Sequence, residues 1–582
     1  MTPGNIRRLF GVALLWGILL SAAPARSLTL IEEGRSTYRI VVSSEAPEPE
    51  RFAAAELARY VQAMSGAKLS LIEPEAAGAD LSRVILIGGA APPAARQKLA
   101  GLGEDAFLMR VQDGRVILAG ASPRATLYAV YAFLETLGVG FPRPGQSYLL
   151  QQVETPGPME ETVPARRTLD LAPLDRLEKP SFSYRATMAF PMIKDRTVRE
   201  IDWMAKNRLN WIHLVTNTDR SIWDKEQVRT ALLPELKKRG IHVQGIGHSF
   251  FAYIPPEQYQ ATHPEYFAMD AGGKRQVQDG RGGLCVSNPD LPKVMAENMG
   301  RFLDRNPEIE IIDLWTNDSA VWCFCPECKR MQGVAADATG YTSSTRSYLR
   351  FVNQVAGRLA ATHPGVRVNA LAYALNFMPD PETRPAANVL IGLAPWQRVT
   401  YRSSDDYYEP ITKPARVNAQ VYAGIKGWLA LTPSFYLYDY CGVRSEYYPI
   451  IDTLRKDYAH YKSMKIDMVS TETFLWPEFN IWAYARLAWD HKIPLDQLID
   501  SFCRIAYRAA APPMAEFHTS LERYKWEWIK HRPELEALLI RAKQQAGDDP
   551  TVVAKLDRLV KILAIDPFVN WDHQNPPPPL GD

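Results

Sequence analysis

The sequence carries almost no net charge. Its 67 Lys and Arg face 65 Asp and Glu, leaving +2 over 582 residues, so no global field draws nucleic acid or an anionic membrane surface to it. Histidine is sparse at 10 residues, and no H-E-x-x-H pair is present to build a catalytic zinc of that type. Apolar runs of spanning length are missing too. The longest, Leu9–Leu20, is about a dozen residues where a bilayer needs ~20. Cysteine is limited to 6 positions, and tryptophan is absent between Trp16 and Trp203. Ten of the 14 tryptophans then fall between Trp203 and Trp489, so the middle of the chain is where large flat faces are wanted.

What is present divides into segments. Residues 1–25 read as a secretory signal peptide: Arg7 and Arg8, the apolar run, then Ala23-Pro24-Ala25. The mature chain is expected to be exported, periplasmic or extracellular after cleavage near Ala25, with no membrane contact beyond the leader. Residues 28–160 alternate strand and helix as a small α/β domain. Glu48–Met64 repeats apolar positions with helical period up to Gly66, and Pro123–Leu137 does so up to Gly138. Catalytic residue types are scarce there, which suggests a supporting part. Glu154–Pro173, rich in Pro and Glu, reads as a linker.

From residue 180 to 490 strand-like runs alternate with helical ones: Ala186–Phe190, Trp211–Val215, His242–Ile246, Ile309–Trp315, Val366–Tyr373, Val389–Ala394, Ser434–Tyr438 and Asp467–Thr471. Eight strands with helical crossovers in ~300 residues predict a (β/α)₈ TIM-type barrel. A doubly wound open sheet is the rival, but no Gly-rich phosphate loop follows the first strand. Residues 491–570 read as a helical C-terminal region. Residues 571–582, with their run of prolines, read as a flexible tail. The fold class is thus α/β: a barrel preceded by a small α/β domain and followed by helices.

In such a barrel the working groups stand at the C-terminal strand ends. That rule selects His248, Trp315, Asn317, Asp318, Tyr373, Trp396, Tyr438, Asp439, Glu472 and Trp476. Acids, amides and aromatics together suit a sugar, whose ring faces stack on indole and phenol while its hydroxyls need carboxylates and amides. Glycoside cleavage needs a proton for the leaving oxygen and a group that answers oxocarbenium-like charge. Asp318 and Glu472 are the carboxylates best placed for this. The plainer alternatives are a helix-capping role for Asp318 and a rim salt bridge for Glu472. His248, Trp315, Tyr373, Trp396, Tyr438, Asp439 and Trp476 would bind substrate or pack around it. No cofactor is required for this chemistry, and the oligomeric state is open.

Cys323-Phe-Cys325-Pro-Glu-Cys328 places three thiols within six residues, with Cys285 as a candidate fourth. The set suits a structural zinc. In an oxidising compartment a disulfide from Cys285 to one of the trio is an equal reading.

Arg199-Glu-Ile-Asp-Trp-Met-Ala-Lys-Asn-Arg-Leu-Asn-Trp-Ile-His213 resembles the first helix and second strand of the β-hexosaminidase and α-glucuronidase barrels. Leu284-Cys-Val-Ser-Asn-Pro-Asp290 and Asn317-Asp-Ser-Ala-Val-Trp-Cys-Phe-Cys-Pro-Glu-Cys328 look more specifically like glycoside hydrolase family 163, long catalogued as domain of unknown function 4838. Ala53–Lys68 resembles the non-catalytic α/β domain that precedes such barrels. The resemblance implies an endo-β-N-acetylglucosaminidase, retaining, acting on a glycan or glycoprotein. It further implies that the substrate's 2-acetamido oxygen is the nucleophile, with Asn317 beside Asp318 able to orient it. An exo-acting uronidase or hexosaminidase and a non-catalytic carbohydrate-binding barrel are the alternatives. A pocket cation such as Arg398 or Arg444 would favour a uronic acid.

Overall fold

A computed structural model of the chain describes residues 27–78, 81–142, 161–189, 194–215, 226–275, 277, 282–318, 322–331, 343–400, 409–413, 416–441, 449–472 and 478–564. The expected leader, the proline-rich tail, Arg444 and Trp476 lie outside the described residues.

The strands before the barrel are β1 (Leu28–Ile31), β2 (Arg39–Val41), β3 (Ser70–Ile72), β4 (Val84–Ile87), β5 (Phe107–Gln112), β6 (Arg115–Gly120), β7 (Leu169–Leu171) and β8 (Leu174–Glu178). Six of them form one sheet in the order β3-β2-β4-β6-β5-β8, parallel except where β5 runs against its neighbours. Every residue of Val84-Ile-Leu-Ile87 is buried, as expected of a central strand covered on both faces. The helices Glu48–Ser65 and Pro123–Thr136 pack together on one side. The first ends where Gly66 takes a left-handed φ of 81°, its N–H returning to the Gln62 carbonyl. Residues 169–178, partly expected as linker, instead belong to this domain: β7 pairs with β1, and β8 extends the sheet edge.

The barrel strands are β9 (Tyr184–Ala189), β10 (Trp211–Val215), β11 (His242–Ile246), β12 (Ile309–Asp313), β13 (Arg367–Ala372), β14 (Val389–Leu393), β15 (Phe435–Asp439) and β16 (Met468–Thr471). All eight pair in parallel and in chain order, and β16 closes on β9 through Met468↔Tyr184. Each falls within two residues of its sequence expectation. Inside the closed sheet a polar layer forms from inward positions of five strands. The Tyr184 hydroxyl donates to Gln244 Oε1 (2.6 Å), Gln244 Nε2 to Asp313 Oδ1 (2.8 Å), and the Tyr436 hydroxyl to Asn369 Oδ1 (3.1 Å). Gly392 makes room for this: a Cβ there would stand 2.5 Å from the Tyr436 ring.

The N-terminal domain covers the opposite end of the barrel, where strands begin. Asp105 accepts hydrogen bonds from Arg124 Nε (2.8 Å), Arg185 Nη2 (2.7 Å) and Asn210 Nδ2 (2.8 Å), tying its own domain to β9 and the approach to β10. Burial alone would raise this carboxyl, but the two guanidiniums overcome it and hold the carboxyl below its usual range. A cavity of about 1580 Å³ lies at this junction, lined among others by Asp105, Arg124, Glu135 and Arg208. Asp105 and Glu135 in its wall are held by arginines, and it is remote from the strand C-termini. Helices Leu495–Tyr507, Ala511–Tyr524, Arg532–Ala546 and Pro550–Ala564 follow the barrel. Glu522 among them caps a barrel helix by accepting from the N–H groups of Ile451 and Asp452. Among the described residues no helix is long and apolar enough to cross a membrane.

Candidate active site at the mouth of the barrel

Strand pleating builds the site upward from the polar layer, because residues two apart share a face. Two positions after Asp313, Trp315 lies buried with its indole N–H on Asn369 Oδ1 at 2.7 Å. Two positions after Tyr436, Tyr438 meets Trp315 edge to face, 5.8 Å between centroids. His213 stacks on the same phenol, with 4° between the rings. Two further on, Tyr440 lies between Tyr438 and the half-buried Trp396, at 5.7 and 5.0 Å. Tyr373 closes β13 nearby, its ring 6.4 Å from His248.

Of the two expected carboxylates, Glu472 lies in this aromatic bowl and Asp318 at its rim, close enough for its charge to act on Glu472. Glu472 continues the ladder beyond β16, its N–H on the Asp439 carbonyl at 2.8 Å. Its side chain keeps a window to solvent, yet the surroundings are as dense as the interior. Burial therefore pushes the carboxyl up to about 8, the Asp318 charge adds to the rise, and a hydrogen bond from Tyr438 opposes it. A carboxyl so placed keeps its proton at neutral pH. Asp318 stands differently, 68% exposed, with one oxygen 3.9 Å from His248 Nε2. His248 Nδ1 lies 2.6 Å from the Thr316 carbonyl, which can only accept, so Nδ1 carries the proton and Nε2 faces Asp318. Burial raises the phenols of Tyr373 and Tyr440, and the charges of both Asp318 and Glu472 raise each further. The two tyrosines thus lie within the field of both acids.

Three expected residues sit otherwise. Asn317 is beside the acids in sequence, but its Nδ2 donates to the Gly282 carbonyl at 3.0 Å, fastening the loop that follows β11. Asp439 lies behind the sheet rather than in the bowl. Tyr436 and Tyr438 occupy inward positions, so the pleat sends 439 outward, where its charge is felt by Cys441, Asp457 and Tyr461. Arg398 also faces away, buried in an ion pair with Asp457 at 2.7 Å. Tyr440 was missed by sequence reasoning, although the period-two run Tyr436, Tyr438, Tyr440 announces it.

The four cysteines converge next to this mouth. All are buried, with their sulfurs within 4.8 Å of one another. Cys285 Sγ is 3.7 Å from Cys325 Sγ and 3.9 Å from Cys328 Sγ.

Residues 155–519, more than half of the chain, match the family described as "Domain of unknown function (DUF4838)". Residues 26–133 match "Glycosyl hydrolase family 67 N-terminus". Among curated proteins nothing matches. Among solved structures, a GH138 enzyme targeting pectin rhamnogalacturonan II is similar at 11% identity and TM-score 0.51, over 83% of this chain and 68% of that one. That likeness establishes a shared fold. A GH115 4-O-methyl-α-glucuronidase with specificity for decorated arabinogalactans aligns at 12% identity and TM-score 0.48, over 90% and 70% of the two chains. A GH20 exo-β-N-acetylglucosaminidase from Vibrio harveyi aligns at 12% identity and TM-score 0.47, over 85% and 76%.

Proposed function

The chain belongs to the DUF4838 family, and we propose that it is an exported glycoside hydrolase cleaving a glycan that contains N-acetylhexosamine. The observation that carries this reading is the contrast between the two carboxyls. Glu472 holds a proton in a dense aromatic setting, while Asp318 stands in solvent at the neighbouring rim. A carboxyl kept protonated by its surroundings is placed to act as a proton donor. Glu472 protonates the glycosidic oxygen as the C1–O bond breaks. The substrate's acetamido oxygen closes on C1 from the other face, giving a cyclic oxazolinium and hence net retention once water opens it. That water loses its proton to Glu472, restoring the acid. The acetamide N–H needs an acceptor, and the carboxylate of Asp318 offers two such oxygens where the Asn317 amide offers one. Trp315, Tyr373, Trp396, Tyr438 and Tyr440 offer the apolar faces against which sugar rings stack.

The uronidase alternative draws no support from Arg398, which is committed to Asp457. Endo action of the family 163 type is the finer reading, supported by the motifs around Asn317 and Cys323. The test is hydrolysis of aryl N-acetyl-β-glucosaminides and N-glycoproteins, with products separated to tell internal from terminal cleavage. Glu472→Gln and Asp318→Asn should each lower the rate, the first by roughly 10²–10⁴-fold as for lost general acid catalysis. Full activity in both variants refutes the assignment. Glycan binding with no turnover in the native chain makes it a binding barrel instead.

A further inference from the structure

We propose that Cys285, Cys323, Cys325 and Cys328 hold one zinc ion as a tetrathiolate centre, and that this centre ties the loop after β11 to the loop after β12, which carries Asn317 and Asp318. The sulfur geometry carries the first half. A Zn–S bond of about 2.3 Å places tetrahedrally arranged sulfurs roughly 3.8 Å apart. Cys285 Sγ lies 3.7 and 3.9 Å from two others, and all four fall inside 4.8 Å. One sulfur near-equidistant from two partners suits a shared central ion. A disulfide would draw one pair to about 2.05 Å and release the rest from any common centre.

The surroundings fit a thiolate cage. The N–H of Met269 points to Cys323 Sγ at 3.3 Å, and that of Cys328 to Cys325 Sγ at 3.4 Å. Ser287 Oγ lies 3.1 Å from Cys328 Sγ, 3.4 Å from Cys285 Sγ and 3.5 Å from Cys325 Sγ. The Arg275 guanidinium, donating to the Phe267 carbonyl at 2.6 Å, lies within electrostatic reach of Cys285, Cys323 and Cys325. Loading the site releases four thiol protons to solvent and leaves a net charge of −2. The backbone donors, the serine and the arginine are those that such a charge needs. Zinc suits the part because it is redox-inert and a closed S₄ set leaves no open position for substrate.

The second half rests on connectivity. Cys285 leaves the loop after β11, and the other three leave the loop after β12. The backbone adds Phe324 N to the Met269 carbonyl, Cys285 N to the Tyr266 carbonyl and Ala268 N to the Gly283 carbonyl. Three residues before Cys285, the Gly282 carbonyl receives Asn317. The metal knot and the acid-bearing rim are therefore one mechanical unit. This inference does not depend on which bond the enzyme cuts.

The test is metal analysis of the full chain, purified without added metal and dialysed against EDTA. We expect one zinc per chain, released on titration of thiols with a mercurial, and a cobalt-exchanged form with the visible bands of tetrahedral cobalt thiolate. Ser287→Ala keeps every ligand and should weaken zinc binding by on the order of ten- to a hundredfold. Cys285→Ser should lose the ion. If that variant fails to fold, Ser287→Ala and the mercurial titration still decide. Stripping zinc should speed hydrogen exchange in residues 266–275 and 314–318 while β14 and β15 stay protected. A chain mass lower by two hydrogens per pair, four free thiols without metal, bound iron in place of zinc, or unchanged exchange after stripping would each overturn the proposal.

Discussion

Replacing Glu472 by Gln separates what its carboxyl does for the reaction from what it does to the fold. The side chain moves from an ordinary 4.5 to about 8 on folding, first through burial and then through Asp318. The folded chain thus keeps a proton that the unfolded chain has given up. Between those two values stability falls as pH rises. At 1.36 kcal/mol for each pH interval of one, the burden reaches roughly 3 kcal/mol at pH 7 and approaches 5 kcal/mol above pH 8. Glutamine carries no charge to bury. Glu472→Gln is therefore expected to be more stable than the native chain at pH 8 by an energy of that order, unfolding at a higher temperature, and to match it at pH 4. Its catalytic effect runs the other way. The native kcat/KM should fall above about pH 8, where the acid loses its proton, whereas Glu472→Gln should show a rate lower by roughly 10²–10⁴-fold and no such limb. Loss should be greatest for glycosides with poor leaving groups, which most need protonation. Tyr438→Phe removes the hydrogen bond that favours the carboxylate and should move the basic limb upward. Thermal unfolding at the two pH values and pH–rate profiles read these outcomes. A midpoint gain equal at pH 4 and pH 8, or native turnover in Glu472→Gln, refutes the reasoning.

Asp105→Ala strands the buried guanidiniums of Arg185 and Arg124, and should destabilise the chain by about 3–5 kcal/mol in denaturant unfolding. The native contribution of Asp105 is complete above its usual 3.8 and lost only as pH falls below it, so acid titration of native and variant should converge there. Gly392→Ala forces a methyl to 2.5 Å from the Tyr436 ring and should lose about 1–3 kcal/mol by the same measurement. Trp396→Ala removes one stacking face of the bowl. It should weaken oligosaccharide binding by roughly two- to tenfold in calorimetry, as expected for an aromatic contact of about 0.5–1.5 kcal/mol.

The barrel was legible because its strands are short apolar runs separated by helical periods, a pattern written locally. The strand-end rule then placed Asp318, Glu472 and Tyr438 at the barrel mouth, where the structure also has them, without any distance. It failed at Asp439, where an acid looked more chemical than its aromatic neighbour. The pleat turns 439 toward Asp457 and leaves Tyr440 in the bowl. Residues 169–171 read as linker because their partner, β1, lies more than 130 residues earlier. The raised carboxyl of Glu472 was not legible either, since the groups around it come from several strands that only closure brings together. For the cysteines the C-x-C-x-x-C spacing was visible. That Cys285 stands as near to Cys328 as to Cys325 is a fact of three dimensions.

The bond set around Asp105 also bears on the order of assembly. Closing the barrel joins Tyr184 to Met468, a pairing across 284 residues, as the neighbouring bond from Ser183 to Asp467 shows. Contacts of that range form late and slowly. Until β16 arrives, β9 is an unprotected sheet edge, a template for aggregation. Asp105 reaches Arg185 across only 80 residues, so the N-terminal domain can seize β9 long before its final neighbour exists. Asp105→Ala should consequently slow refolding and lower its yield at high protein concentration by more than it speeds unfolding.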